Sequence, residues 1–370
     1  MEHAPTSLNA PLTPTDPHFP PAQRIRDIGF VPPRCPHARC PAHAAPKKPG
    51  SHAFRRRGYF KRRVDGLVVQ RFACETCGRS FSSQTFRLDY RLRRLDTMLP
   101  VFTALHSKTT LRKTARNLGL GRAHVARRIQ RLAVHGRDYH ALRLERIAAG
   151  GGLGANFQFD ELETYESHRK LKPLTACVLI ERQSGFIASI EVGTLAARGR
   201  RTPKEEETRA KYQELEGPRR SESWKIVQKT AATISRIAKK GDHVLVTTDL
   251  KASYAKALQK SLGKRLVHER VSGRAERGSK SQLFPINHTL ARLRDLVSRL
   301  VRQTWAASKK RSWLVQHLAV LIGFRNYVDG WRSEPAARQK TSAGEVLGAT
   351  TRKLTAPEYL VWGDPLCAPA

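Results

Sequence analysis

Two aspartates and two pairs of cysteines are the residues of this sequence whose type and spacing suit them to chemistry. Asp160 closes the short aromatic run Asn156-Phe-Gln-Phe-Asp160, and Asp249 closes the apolar run His243-Val-Leu-Val-Thr-Thr-Asp249. Carboxylates are hard oxygen donors that suit Mg²⁺ or Mn²⁺. A pair of such ions can activate a hydroxyl nucleophile and stabilise the leaving oxygen of a phosphodiester. The cysteines stand as Cys35-Pro-His-Ala-Arg-Cys40 and Cys74-Glu-Thr-Cys77-Gly. Two such knuckles place four thiolates around one tetrahedral Zn²⁺. The wider spacing of the first pair leaves His37 or His43 as an alternative ligand to Cys40.

These residues need elements to hold them. Around the acids, apolar patterning predicts strands over 155–161, 174–181 and 186–193, a helix over 224–239, and a strand over 243–248. A helix over 253–262, a strand over 265–271 and a long helix over 289–304 follow. Alternation puts Phe157 and Phe159 on one face of the first strand, leaving Asn156, Gln158 and Asp160 on a face free to meet metal or substrate. Three strands, helix, strand, helix, strand is the order of a ribonuclease-H-like mixed α/β sheet, placed at 155–330 with a charged surface insertion over 196–222.

The cysteine knuckles bracket two β-like runs and predict a zinc ribbon over 34–82, with Arg55 to Arg57 and Lys61 to Arg63 on its hairpin. Between the two modules, 86–148 reads as an all-α helix-turn-helix domain. Leu111 and Ala115 line its first helix, Asn117-Leu-Gly119 makes the turn, and Val125, Ile129 and Leu132 line the second. Arg112 and Lys113 on the first helix and Arg122, Arg127, Arg128 and Arg131 on the outer face of the second form the expected DNA-binding set. Ala149-Gly-Gly-Gly-Leu-Gly154 reads as a flexible break. Proline-rich residues 1–33 read as a disordered lead-in, and 333–370 as an irregular tail.

Composition narrows the partner. The 370 residues carry 68 Lys and Arg against 31 Asp and Glu, a formal net charge of +37. That excess repels itself in a compact chain and calls for a polyanion. Double-stranded DNA is the expected partner. A membrane is not, because no apolar run of about 18 residues occurs. Six cysteines are too few for a disulfide scaffold in a chain of this length. The expected location is the cytoplasm of a bacterium, on its nucleoid.

The order of these motifs resembles the DDE transposases of bacterial insertion sequences, closest to the insertion-sequence-one class. The knuckles, the helix-turn-helix, Asp160-Glu161 near Tyr165, Thr248-Asp249 followed by Tyr254, and the helix from Leu290 carry the likeness from about Cys35 to Tyr327. The resemblance implies metal-dependent 3′-end cleavage and strand transfer at the terminal repeats of an element. It makes Asp160 and Asp249 the first two metal-binding acids and implies a dimer or larger assembly on DNA. The family's third acid, a glutamate at the helix after the fifth strand, is absent from Phe284-Pro-Ile-Asn287-His288. Glu276, in Arg274-Ala-Glu-Arg277, takes the role here, with Asp295, Asn287 and His288 as alternatives. A chain without that acid would be a DNA-binding regulator rather than an enzyme.

Overall fold

The computed structural model describes residues 25–44, 53–272, 278–301, 306–330 and 340–367. The chain divides into two compact units, one of residues 1–98 with 360–369 and one of residues 99–359.

The first unit is built on β1 (Ile25–Arg26), β2 (Phe54–Lys61), β3 (Val68–Cys74) and β4 (Ser80–Ser82). β3 pairs antiparallel with β2 and β4 and parallel with β1. Phe54, Phe72, Phe81 and Phe86 are buried together with Cys35, Cys40 and Cys74. Each such ring contributes roughly 1.5–3 kcal/mol on burial. Residues 25–33, expected to belong to a disordered lead-in, are part of this unit. Arg26 pairs with Asp89 at 2.5 Å, and the Phe30 ring stacks on Trp362 at 5.0 Å. The end of the expected irregular tail thus supplies a core residue.

In the second unit α1 (Met98–Leu105), α2 (Leu111–Asn117) and α3 (Arg122–Ala149) precede the sheet. The sheet comprises β5 (Asn156–Tyr165), β6 (Pro173–Glu181), β7 (Ile187–Thr194), β8 (Val244–Thr248) and β9 (Leu266–Arg270), in the order β7-β6-β5-β8-β9. β5, β6 and β7 run antiparallel, whereas β8 and β9 run parallel to β5. That order and polarity fit the ribonuclease-H-like arrangement. Between the strands lie α4 (Pro203–Glu216), α5 (Ser223–Ile237) and α6 (Ala252–Leu262), and after them α7 (Phe284–Leu296) and α8 (Arg311–Gly323). Leu162, Val178, Ile180 and Ile187 on one face of the sheet pack with Leu290 and Leu293 of α7 and Leu314, Leu318 and Leu321 of α8. On the other face Phe159 meets Tyr254 of α6 edge-on at 4.6 Å.

Three expectations change. The charged insertion contains the regular helix α4, started by a capping box between Thr202 and Glu205 with proline in its first turn. Its residues are all at least partly exposed, so propensity and capping, not burial, form it. The helix expected over 289–304 instead starts at Phe284, with Pro285 in its first turn, and ends at Leu296. The glycine run is a tight junction and not a flexible break. Gly152 has φ +98°, and a Cβ there would stand 2.6 Å from the Ala238 carbonyl oxygen. Leu153 and Lys239 then exchange backbone hydrogen bonds with the end of α5 and with each other's segment, Leu153 N to Ile237 O at 2.6 Å and Lys239 N to Leu153 O at 2.7 Å.

Candidate functional site

The first site grows from the register of the parallel strands. Gln158 of β5 lies opposite Thr247 of β8. Asp160 and Asp249, each two residues further on, therefore occupy matching positions at adjacent strands, on the face that also bears Gln158. Asp249 lies just past the carboxyl end of β8, where parallel strands present side chains to ligands. Both acids are half-buried. The Asp160 carboxylate accepts from the Glu161 amide at 2.7 Å, and Asp249 accepts from the Lys251 amide at 2.9 Å. Burial raises the Asp160 carboxyl to about 6; the Glu161 amide opposes the shift, and the charges of Asp249 and Glu161 add to it. A cation held between the two carboxylates would remove the repulsion that Asp249 adds at Asp160.

The face that bears Asp160 is not free, as alternation alone suggested. Gln158 is fully buried and ties β5 to the start of α7, donating to Gln282 O at 2.7 Å and accepting from Ile286 N at 3.1 Å. The start of the helix after the fifth strand is thereby held one pleat from Asp160. Glu276, the expected third acid, lies outside the described residues. Asn287 is exposed on α7, and His288 stacks on Phe284 at 5.5 Å. Asp295 sits at the far end of α7, 80 % exposed and 3.6 Å from Lys108. Among the described residues, the four cysteines are the one group of three or more ligating side chains that converges.

Two acids escaped sequence reasoning. Glu269 of β9 lies opposite Thr247, whose hydroxyl donates to it at 3.1 Å, on the same face as Asp160 and one row behind it. Glu161 points to the opposite face and its side chain is only 6 % exposed. It accepts from the hydroxyls of Thr175 (3.0 Å), Ser223 (2.8 Å) and Tyr254 (3.1 Å) and pairs with Lys251. With its lone pairs taken up, Glu161 locks β5, β6, α5 and α6 together behind Asp160. Asp160 and Glu161, expected at the end of the strand, stand in the middle of β5, which runs on to Tyr165. Adjacent acids within a strand signal one acid per face, which was the available clue.

The second site is the cysteine cluster. Ligand sulfurs of Cys35, Cys40, Cys74 and Cys77 all lie within 4.8 Å of one another. The Cys35–Cys77 and Cys40–Cys74 pairs stand 3.8 Å apart. A tetrahedron of Zn–S bonds near 2.3 Å has an edge of about 3.8 Å, whereas a disulfide is about 2.05 Å long. The donor set therefore fits Zn²⁺. Backbone amides of His37, Ala42, Thr76 and Cys77 are hydrogen-bonded to the sulfurs, the outer shell such a centre needs. His43 is committed to the Cys35 carbonyl at 2.8 Å, so Cys40 keeps its place among the four.

The expected DNA-binding residues divide. The turn between α2 and α3 carries Gly119 at φ +60°, and Val125, Ile129 and Leu132 are buried as expected. Arg112, Lys113, Arg122 and Arg127 are exposed, and Arg131 is half-buried. Arg128 is a correction: it is 5 % exposed and reaches the His124 ring at 2.9 Å. Its position three residues after Val125 and four before Leu132 puts it on their inner face.

No family model matches this chain, and no curated protein matches it. Among solved structures, the chain is similar to a pre-cleavage Mos1 transpososome at 12% identity, covering 58% of this chain and 72% of that one with a TM-score of 0.19. It is similar to the catalytic domain of the Mos1 mariner transposase at 14% identity, covering 53% and 91% with a TM-score of 0.18. The Mos1 strand transfer complex gives 12% identity, 62% and 76% coverage and a TM-score of 0.20. These are structures of a mariner transposase, not of the insertion-sequence-one class. At such scores the superposition has no bearing on what this chain does.

Proposed function

We propose that the chain is a transposase of the DDE type, a polynucleotidyl transferase that cleaves 3′ ends at the terminal repeats of its element and joins them to target DNA. The observation that carries this is the in-register pair Asp160 and Asp249, on neighbouring parallel strands at the centre of a mixed sheet, in a chain of net charge +37. Asp160 and Asp249 hold Mg²⁺ or Mn²⁺, and the bound ions activate the attacking oxygen and stabilise the leaving one. Glu276 completes the set from the segment that leads into α7, and Gln158 fixes where that helix begins. The α2–α3 pair acts as a helix-turn-helix, with Arg112, Lys113, Arg122 and Arg127 on DNA and Arg131 at its margin. The four cysteines hold Zn²⁺ in a zinc ribbon that steadies the first unit. Joining two ends calls for a dimer or larger assembly. The insertion-sequence type and the cytoplasm are the setting this chemistry suits, and no described helix is long and apolar enough to cross a membrane.

The test is purified protein with Mn²⁺ and a plasmid carrying the gene with its flanking sequence. Metal-dependent nicking at the flanks, abolished by Asp160→Ala and by Asp249→Ala, supports the proposal. Nicking that persists in both variants refutes it. A second reading, a DNA-binding regulator with no nuclease activity, is favoured by one observation: no third acid converges on Asp160 and Asp249 among the described residues. Tight, sequence-selective duplex binding with no nicking by the wild-type chain would decide for that reading.

A further inference from the structure

The first unit contains a groove of about 1080 Å³ that the chemistry above leaves unused. Arg57, Lys61, Arg63, Arg71 and Arg91 line it, and all five are exposed. The acid at its margin, Asp89, is already held by Arg26 at 2.5 Å and by Arg87 at 3.3 Å, and so contributes little to balance them. A concave wall of like charges is unfavourable until an anion enters it. The sequence builds this wall deliberately from irregular backbone. β2 slips by one residue between Arg56 and Tyr59, with Gly58 at φ +64°, and Arg57 beside the slip reaches across to the Ser80 hydroxyl at 2.9 Å. Arg91 itself adopts φ +58°, a conformation that a residue with a long side chain rarely takes.

The groove also holds two flat platforms. The Arg71 guanidinium lies 5.2 Å from the centre of the Phe60 ring, and that of Arg91 lies 5.2 Å from the centre of the Tyr90 ring. Guanidinium planes and aromatic rings are the surfaces on which unpaired bases stack. A duplex keeps its base faces stacked inside and has no use for them.

We propose that this groove binds a single strand of nucleic acid, with phosphates against Arg57, Lys61 and Arg63 and bases on the Phe60–Arg71 and Tyr90–Arg91 platforms. This reading stands apart from the metal chemistry of the second unit and holds whether or not that chemistry is present. It gives the cysteine-bound unit a ligand different from the duplex assigned to α2 and α3.

The test uses the full zinc-loaded chain with fluorescent oligodeoxyuridylate, oligouridylate and a duplex over a range of salt concentrations. Three phosphate contacts on a single strand contribute about 2 to the slope of log affinity against log salt. The triple variant Arg57→Ala, Lys61→Ala, Arg63→Ala should lose that much slope with a single strand and keep the duplex affinity of the wild type. Tyr90→Ala should weaken single-strand binding about tenfold, the size of one lost base stack, and Tyr90→Phe should restore it. Zinc content reports that each variant has folded. The stronger of the two single-strand arms identifies the sugar. Unchanged single-strand affinity and slope in the triple variant, or an equal loss with the duplex, overturns the proposal.

Discussion

Acid should unfold the second unit near pH 5, and the reason lies in four buried imidazoles. His135, His140 and His317 are held to about 4 by burial, and burial also holds His106 well below its ordinary value. Their hydrogen bonds agree. His135 donates from Nε2 to Tyr359 O and His317 from Nε2 to Leu105 O, both at 2.9 Å, and in each the buried Nδ1 has no partner. A second ring proton would have no acceptor there. His140 donates from Nε2 to Ala188 O at 3.0 Å, and its Nδ1 lies 2.9 Å from the Tyr327 hydroxyl, whose proton the neutral ring can accept. Because the folded values lie below the unfolded one of about 6.5, the stability these groups give is complete above about 6.5. It is lost as pH falls from there toward about 4. At about pH 5 each of the three contributes a loss of about 2 kcal/mol, or about 6 kcal/mol together. Asp160, raised to about 6, shifts the other way and returns about 1 kcal/mol. A net loss of about 5 kcal/mol is comparable to the whole stability of many domains. Urea denaturation followed from about pH 8 to about pH 5 measures it. In His317→Gln the amide nitrogen replaces Nε2 against Leu105, and the slope should fall by about one proton, or about 1.4 kcal/mol per pH unit. A midpoint for the second unit that does not move over this range, or a slope unaltered in His317→Gln, refutes the reasoning.

Three further outcomes are expected. Gln158→Ala should destabilise the second unit by about 2–3 kcal/mol, because two hydrogen bonds to α7 are lost in a buried setting; thermal denaturation measures this, and an unchanged midpoint counts against it. Arg127→Ala should weaken duplex binding and lower the salt slope by about 0.9, whereas Arg128→Ala should leave the slope alone and reduce stability. Wild-type protein should carry one zinc per chain by elemental analysis, and Cys74→Ser should lose both the zinc and the near-ultraviolet dichroism of the aromatic core around it.

How far the fold was legible depended on whether a local pattern carried it. β6 and β8 lie within a residue of the expected runs, because each is an apolar run bounded by turn residues. β5 starts near its expected place but continues four residues beyond Glu161 to Tyr165, through polar positions held by pairing with β6. The matching of Asp160 with Asp249 was legible for the same reason. The apolar spacing of Leu293, Val297 and Leu300 draws the expected helix too far toward the carboxyl end, whereas Pro285 in its first turn marks where α7 starts. Arg128 was assigned to the outer face on its charge, although its spacing from Val125 and Leu132 places it inside. The capping box at Thr202 and Glu205 is a local signature of α4 that the high charge of 196–222 masks. Other features had no local signature. Nothing near Phe30 announces that Trp362 will stack on it, and nothing near Gln158 announces Ile286. Long-range partners of this kind are chosen by the assembled core.

α3 is a single helix of 28 residues, about 42 Å from end to end. Arg122 and Arg127 lie on its leading turns. Further along, Tyr139 meets Tyr327 edge-on at 4.8 Å, and His140 clasps the carbonyl of Ala188 in β7. Such a helix works as a lever with one arm clamped. The one glycine between the two arms, Gly136, is buried so closely against α8 that a Cβ there would stand 2.5 Å from the Ala319 carbonyl oxygen. It serves close packing, and the clamped arm is anchored to both α8 and the edge strand β7.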